Sequence, residues 1–178
     1  MAFSDPEKII QSAGIFEGMT VADFGCGMGY YTFPLARKVG DGGRVYAIDI
    51  QGSLVETVKR TARTNGFRTV DGIVGDVDEL GGSKLRDGAV DVVVMANLLF
   101  QVERKDALVA EAQRILKPKG RALLIEWVDS FGGIGPHPKD VVPRERAEQL
   151  FRGGGFAVQR EIPNAGDHHY GILFIRTP

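Results

Sequence analysis

Residues 21 to 32 read VADFGCGMGYYT, with Gly25, Gly27 and Gly29 at every second position after Asp23. Glycine is needed where a side chain would block a ligand or where φ must be positive, so this spacing makes a turn that a ligand can approach closely. If a strand leads into the turn and a helix follows, the helix presents free N–H groups suited to a phosphate or a carboxylate. A dinucleotide turn is spaced G-x-G-x-x-G and would need its third glycine at position 30, which is Tyr30 here. No phosphate loop ending in G-K-[ST] is present either. Three further polar residues stand where apolar runs end: Asp49 after VYAI, Asp76 after IVG and Asn97 after DVVVMA. Taken singly, such residues most often cap helices or form turns.

The elements that must position these residues alternate along the chain. SDPEKIIQSAG predicts a first helix, with Ser4 and Glu7 at capping-box spacing and Pro6 in the first turn. MTVADFG, RVYAIDI, TVDGIVG, AVDVVVMAN and RALLIEWV read as five strands, and the β-branched fourth suits a strand buried on both faces. Helices are expected over YYTFPLARKVG, over SLVETVKRTARTNG with Ser53 and Glu56 again at capping-box spacing, and from Arg104 to Leu116, where KPKG stops it. DSFGGIGPHPKD is a long irregular stretch, Pro143 opens another helix, and FAVQREIP and HHYGILFIR form strands joined by the turn residues NAGD. Strand–helix alternation through five strands implies a mostly parallel sheet with helices on both faces. The last two strands are joined too tightly for a parallel crossover and must be antiparallel. The expectation is one α/β domain over residues 1–178: a seven-stranded, mostly parallel sheet of Rossmann-like type with a C-terminal antiparallel hairpin.

Composition narrows the function classes. The 178 residues suffice for one well-packed domain, and 43% hydrophobic with 25% charged residues is the profile of a soluble globular chain. A formal net charge of −1 does not steer the chain toward nucleic acid or an anionic membrane. No apolar run approaches the length of a membrane span, and MAFSDPEKII has no signal-peptide core, so a cytoplasmic protein is expected. A single cysteine, Cys26, excludes an internal disulfide and a multi-cysteine metal site, and it reads as a small filler between glycines. No metal is expected.

DFGCGMG, with Asp49, Asp76 and Asn97 in register behind it, resembles the class I S-adenosylmethionine-dependent methyltransferases, whose first motif is D-x-G-x-G-x-G. The resemblance covers nearly the whole chain and includes the terminal hairpin. It implies S-adenosyl-L-methionine as cofactor, with Asp23, Phe24, Gly25, Gly27 and Gly29 shaping the turn against its amino-acid tail. Asp49 would accept both hydrogen bonds of the ribose diol, an arrangement an amide copies poorly, with Ile50 next to it. Asp76 would meet the adenine amino group, the Val77 N–H a ring nitrogen, and Asn97 the methionine part.

The sulfonium methyl is already activated, so the protein must align an acceptor and exclude water, with a general base only where the acceptor must lose a proton. Strand direction brings Glu126, Trp127 and the start of the seventh strand to the binding edge. His168, His169, Tyr170 and Glu126 are therefore the candidates for orienting the acceptor or taking its proton. Side-chain alternation puts His168 and Tyr170 on one side and His169 on the other. Trp127 reads as packing, His137 as scaffolding of a loop that lies over the pocket.

ANLLFQV and LKPKGRALLIEW resemble the small-molecule members, including those of quinone biosynthesis, with Lys119 where glycine is common. A small-molecule acceptor is the expected partner. RNA and protein substrates, a non-catalytic cofactor-binding module and aminopropyl transfer remain as alternatives. The N-terminal segment is short, which leaves a partner subunit of a homo-oligomer, a mobile lid or an open site to cover the pocket.

Overall fold

The computed structural model describes residues 4–131 and 133–178. The expectations that touch the first three residues and Gly132 lie outside the described residues. Numbered along the chain, the strands are β1 (Thr20–Phe24), β2 (Arg44–Asp49), β3 (Val70–Val74), β4 (Val90–Ala96), β5 (Leu116–Trp127), β6 (Phe156–Glu161) and β7 (His169–Arg176). The α-helices are α1 (Pro6–Ser12), α2 (Thr32–Val39), α3 (Gly52–Thr64), α4 (Lys105–Ile115) and α5 (Arg144–Gly153).

All seven strands join one sheet in the order β3-β2-β1-β4-β5-β7-β6. Strands β1 to β5 pair in parallel, and β7 runs antiparallel between β5 and β6. The strand order reverses between β1 and β4, so the crevice of this sheet must open above the ends of those two strands.

Alternation along the strands fills two cores. Val21, Val45, Val92, Val94, Leu123, Ile125 and Leu173 point to one face and pack with α1 and α2 through Ile9, Ile10, Leu35 and Val39. Helix α3 joins that face where Val58 meets Ala47 and Cys26. Ala22, Phe24, Val93, Met95, Leu124, Ile172 and Phe174 point the other way, against Leu108, Val109, Ala112 and Ile115 of α4 and Ala147 and Phe151 of α5. Buried apolar side chains on both faces of β4 account for its nearly unbroken β-branched sequence.

Four local features depart from the sequence reading. Asp5, not Ser4, caps α1: its carboxylate accepts from the N–H groups of Glu7 (3.2 Å) and Lys8 (3.4 Å). Pro6 takes the first helical position, which leaves Asp5 as the residue whose side chain reaches the free donors. Helix α3 begins at Gly52 with no side-chain cap, so Ser53 lies inside its first turn. There the Gln51 N–H is taken instead by Asp49 Oδ1 at 2.9 Å.

KPKG does not separate α4 from β5. The strand starts at Leu116, and the register against β4 shifts so that Val90 pairs with Leu116 but Val92 with Arg121, with Lys119 at φ +63°. The alternation of strand and helix also breaks between β3 and β4, where residues 75–89 cross over as a strap without a helix. Val77, Leu85 and Ala89 of this strap pack on the α4 face.

A buried carboxylate fastens the middle of the strap. Glu111 of α4 is wholly buried and accepts from the Gly81 N–H (2.7 Å), the Ser83 N–H (3.0 Å) and the Ser83 hydroxyl (2.5 Å). Arg114, one turn on, holds Glu111 from Nε at 2.9 Å and donates to the Leu85 carbonyl at 2.8 Å. Burial pushes the Glu111 pKa up, but Arg114, Ser83 and the two N–H groups outweigh it and hold the carboxyl below its usual range.

Candidate cofactor and acceptor site

The glycine turn leaves β1 at its C-terminal end. Gly25, Gly27 and Gly29 have φ of +68°, +52° and +89°, a region that side chains rarely enter. The Gly25 and Cys26 N–H groups both donate to the Ile48 carbonyl, at 2.8 and 3.0 Å, which ties the turn to β2. Space decides the rest. A Cβ at Gly25 would lie 2.8 Å from Leu98 Cδ1, whereas one at Gly27 would meet nothing within 4 Å and would project into open volume. Thr32 donates its hydroxyl to Asp23 Oδ2 at 2.6 Å and so locks the start of α2 to the end of β1. Burial pushes the Asp23 pKa up to about 7 against that hydrogen bond, with the Asp49 charge raising it further.

In front of the turn lies a crevice of about 330 Å³ lined by Gly25, Gly27, Asp49, Ile50, Leu54, Gly75, Asp76, Val77, Leu98 and Gln101, among others. The Asp49 carboxylate is 8% exposed, and it accepts the Gly27 N–H at Oδ2 (3.0 Å) and the Gln51 N–H at Oδ1 (2.9 Å). A carboxylate has about four lone-pair directions, so one remains on each oxygen. Ile50 is 63% exposed and lies along the crevice wall. Asp76 Oδ1 accepts the Asp78 N–H at 3.2 Å, and burial followed by the neighbouring Asp78 carboxyl raises its pKa. Asp78 is held by Arg104 at 3.3 Å and shifts the opposite way. Val77 is buried behind Asp76.

Asn97 directly follows β4 in the left-handed region, at φ +55°, with its N–H on the Ile125 carbonyl at 2.9 Å. Its Oδ1 is buried and has no hydrogen-bond partner. An orphaned buried polar atom costs about 1–3 kcal/mol, so it marks a place where a ligand donor fits. S-adenosylmethionine suits this donor set. Asp49 offers two lone pairs to a diol, Asn97 Oδ1 awaits a donor such as an ammonium, and the bare Gly27 leaves room beside Asp49.

Two sequence-expected residues fill other roles. Phe24 packs its ring fully into the core on the α4 face, so only its backbone reaches the turn. Asp23 braces the turn from behind rather than lining the crevice.

The four acceptor candidates divide between the faces of the sheet. Glu126 and Tyr170 are register partners on the α4 side. Glu126 is wholly buried and accepts the N–H groups of Trp127 (2.8 Å) and Phe100 (3.4 Å), which holds the segment after β4. Burial outweighs those hydrogen bonds and pushes its pKa up to about 7. The Tyr170 hydroxyl donates to the Val142 carbonyl at 3.0 Å.

Trp127 and His169 are register partners on the opposite face, with ring centroids 4.2 Å apart. Both ring nitrogens of His169 are buried without a partner, and burial lowers its pKa. His168 lies at the rim, with Nδ1 2.8 Å from Asp129 Oδ1 and its ring stacked on Phe131 at 4.1 Å. The irregular stretch folds over this edge: a Cβ at Gly135 would come 2.8 Å from the Trp127 indole. His137 starts the short 3-10 turn Pro138–Asp140. Sequence reasoning missed Asp78, Leu98, Gln101 and Glu103 on the crevice wall, and it assigned Tyr31 no role. Asp78, two residues after Asp76, carried the one signal that spacing could have shown.

The comparisons with known proteins bear on the family and the fold. The model of the methyltransferase domain family matches residues 15–150. The ubiquinone/menaquinone biosynthesis C-methyltransferase of Shewanella halifaxensis is 34% identical over 122 residues, 66% of this chain and 46% of that protein. The demethylmenaquinone methyltransferase of Lactococcus lactis subsp. lactis is 29% identical over 119 residues, 67% of this chain and 46% of that protein. The chain thus spans about half the length of the curated relatives it matches. A SAM dependent methyltransferase from Aquifex aeolicus, solved by crystallography, superposes with a TM-score of 0.89 at 28% identity, over 98% of this chain and 91% of that one. With a family match over most of its length and this superposition, the chain belongs to the S-adenosylmethionine-dependent methyltransferase family as a methyltransferase domain, with S-adenosylmethionine as its cofactor.

Proposed function

We propose that the chain transfers a methyl group from S-adenosylmethionine to a small-molecule acceptor that approaches over β5 and β7. The reading rests above all on the crevice wall, where the two free lone pairs of Asp49 lie beside the open side of Gly27, with the orphaned Asn97 Oδ1 at the end of the neighbouring strand β4. Asp49 holds the ribose diol, Asp76 and the Val77 N–H read the base, and Asn97 takes the amino-acid tail. When bound, the sulfonium supplies a methyl group already activated for transfer. Gly25 and Gly29 shape the turn, and Ile50 and Leu98 exclude water from the walls.

His169 is the group best placed to orient the acceptor or take its proton, because it is neutral, buried and unpartnered. His168 sits at the rim in contact with Asp129. Glu126 and Tyr170 position the segments around Phe100 and Val142 from beneath the sheet and do not touch the acceptor. A small acceptor is favoured by charge as well. The crevice is lined by Asp49, Asp76, Asp78 and Glu103, a wall that repels a phosphate backbone. The names of the curated relatives, which concern quinone biosynthesis, support the same class. Among the described residues no helix is long and apolar enough to cross a membrane, and together with the composition this supports a cytoplasmic location.

The test has two steps. Calorimetry with S-adenosylmethionine and S-adenosylhomocysteine measures binding. Labelled-methyl transfer into a cell extract, read by mass spectrometry, then identifies the acceptor. Binding followed by a labelled small molecule is the expected result. Binding with no labelled product of any kind identifies a non-catalytic module, and label in RNA or protein overturns the substrate class.

A further inference from the structure

Between β4 and α4 the chain makes an irregular turn over residues 97–104, and Leu98, Gln101, Val102 and Glu103 of that turn line the crevice. Within it the Gln101 N–H reaches the Leu98 carbonyl at 2.9 Å, and the Gln101 side chain reaches the Asn97 carbonyl at 2.5 Å. Side chains of three other segments fasten it further. Glu126 of β5 accepts the Phe100 N–H at 3.4 Å, with the Leu99 N–H also acting on its carboxyl. Lys105, at the head of α4, donates Nζ to the Val102 carbonyl at 2.6 Å. Asp78 of the strap accepts the Glu103 N–H at 3.3 Å. An anion thus meets N–H groups early in the turn and a cation meets a carbonyl late in it, the order that peptide dipoles favour.

Glu126 also ties this wall to the acceptor edge. Its second oxygen accepts the Trp127 N–H at 2.8 Å, and the Trp127 ring packs on His169. Each oxygen therefore serves a backbone donor, and a proton on either one leaves that oxygen a poorer acceptor. Lys105 favours the charged carboxylate from α4. Tyr170 faces Glu126 from β7, with Arg144 and Glu145 of α5 acting on Tyr170 in turn. Burial opposes Lys105 and favours the proton, so the carboxyl of the ligand-free chain changes charge near neutral pH.

We propose that Glu126 and Lys105 are a positioning pair that holds the 98–103 wall of the crevice, and that cofactor binding draws on Glu126 as a carboxylate. The inference rests on the methyltransferase reading and adds two residues that act on the cofactor without touching it. A ligand seated against Leu98 and Gln101 needs the wall in place, and the carboxylate grips the wall better than the neutral acid does. Binding and loss of the Glu126 proton then favour each other, as linkage requires.

The test reads this coupling as a pH profile. The affinity of the full chain for S-adenosylhomocysteine is measured by calorimetry from about pH 6 to about pH 8, for the wild type, Glu126→Gln and Lys105→Met. If only the carboxylate form is competent, a pKa of about 7 makes the wild type bind roughly tenfold tighter at the upper end than at the lower. Glu126→Gln keeps the shape of the side chain but cannot ionise. It should bind at about the weak, low-pH level of the wild type and lose that rise. Asp23 titrates in the same range in both proteins, so the ratio of their affinities isolates Glu126. Lys105→Met should move the midpoint of the rise to higher pH, because the cation that favours the carboxylate is gone. Parallel profiles for the wild type and Glu126→Gln overturn the proposal even if Glu126→Gln lowers Tm. Should Glu126→Gln not fold, an unmoved midpoint in Lys105→Met overturns it instead. A wild type that binds no S-adenosylhomocysteine at any pH overturns the underlying reading.

Discussion

Asp49 holds two backbone N–H groups and keeps two lone pairs for a ligand, so in the proposed function one side chain both fixes the glycine turn and reads the sugar. Asp49→Asn turns one acceptor into a donor, which then faces either the Gly27 N–H or a ribose hydroxyl. Hydrogen bonds to a charged group are worth about 1.5–3 kcal/mol, so cofactor affinity should fall roughly 10- to 100-fold in calorimetry. An unchanged affinity removes Asp49 from the site.

Glu126 shows a different use of a carboxyl. Its native pKa of about 7 lies above the usual value of 4.5, so the protonated form is favoured on folding. The stability tied to that proton is fully present below about pH 4.5 and is lost as pH rises through about 7. Measured against Glu126→Gln, which cannot titrate, the wild type should lose on the order of 3 kcal/mol of unfolding free energy across that window. Asp23 titrates in the same window but is common to both proteins and cancels. Parallel denaturation curves at pH 5 and pH 8 check this, and a constant difference between the two proteins contradicts it.

The strap between β3 and β4 carries Asp76 and Val77 at its start, and Glu111 fastens it to α4 further along. Glu111→Gln leaves Arg114 with Asp87 as its remaining anion and weakens two N–H contacts. Breaking such a buried pair costs roughly 3–5 kcal/mol, and the loosened strap should lower cofactor affinity as well. Hydrogen exchange should quicken at Gly81 and Ser83 while β1 and β4 keep their protection. Uniform loss of protection would mean that Glu111 serves the whole fold and not the strap.

This strap also shows why part of the structure was not legible. Hydrophobic alternation located every strand, since each had to bury one or both faces. The polar run from Asp76 to Asp87 has no such period, and its order comes from a carboxylate more than twenty residues on. The misplaced caps have a similar cause. Spacing alone cannot tell that Pro6 makes Asp5 the cap, or that α3 begins at Gly52, ahead of Ser53, with no side-chain cap. The glycine turn and both acids were readable because each stands where an apolar run ends.

Across the whole molecule, the sheet order decides what the side chains can do. Reversal between β1 and β4 opens the crevice, and the antiparallel return of β7 brings His169 beside Trp127 at the same edge. Residues proposed for cofactor and acceptor, from opposite ends of the chain, thus stand above one set of strand ends. The central claim is that this crevice seats the nucleoside against Asp49 and Asp76. Its most direct test is a crystal structure of the full chain with S-adenosylhomocysteine. The expected density has the ribose hydroxyls on Asp49, the base beside Asp76 and Val77, and the ammonium on Asn97 Oδ1. An empty crevice at saturating ligand, or a ligand seated elsewhere with Asp49 still bound only to Gly27 and Gln51, would contradict it.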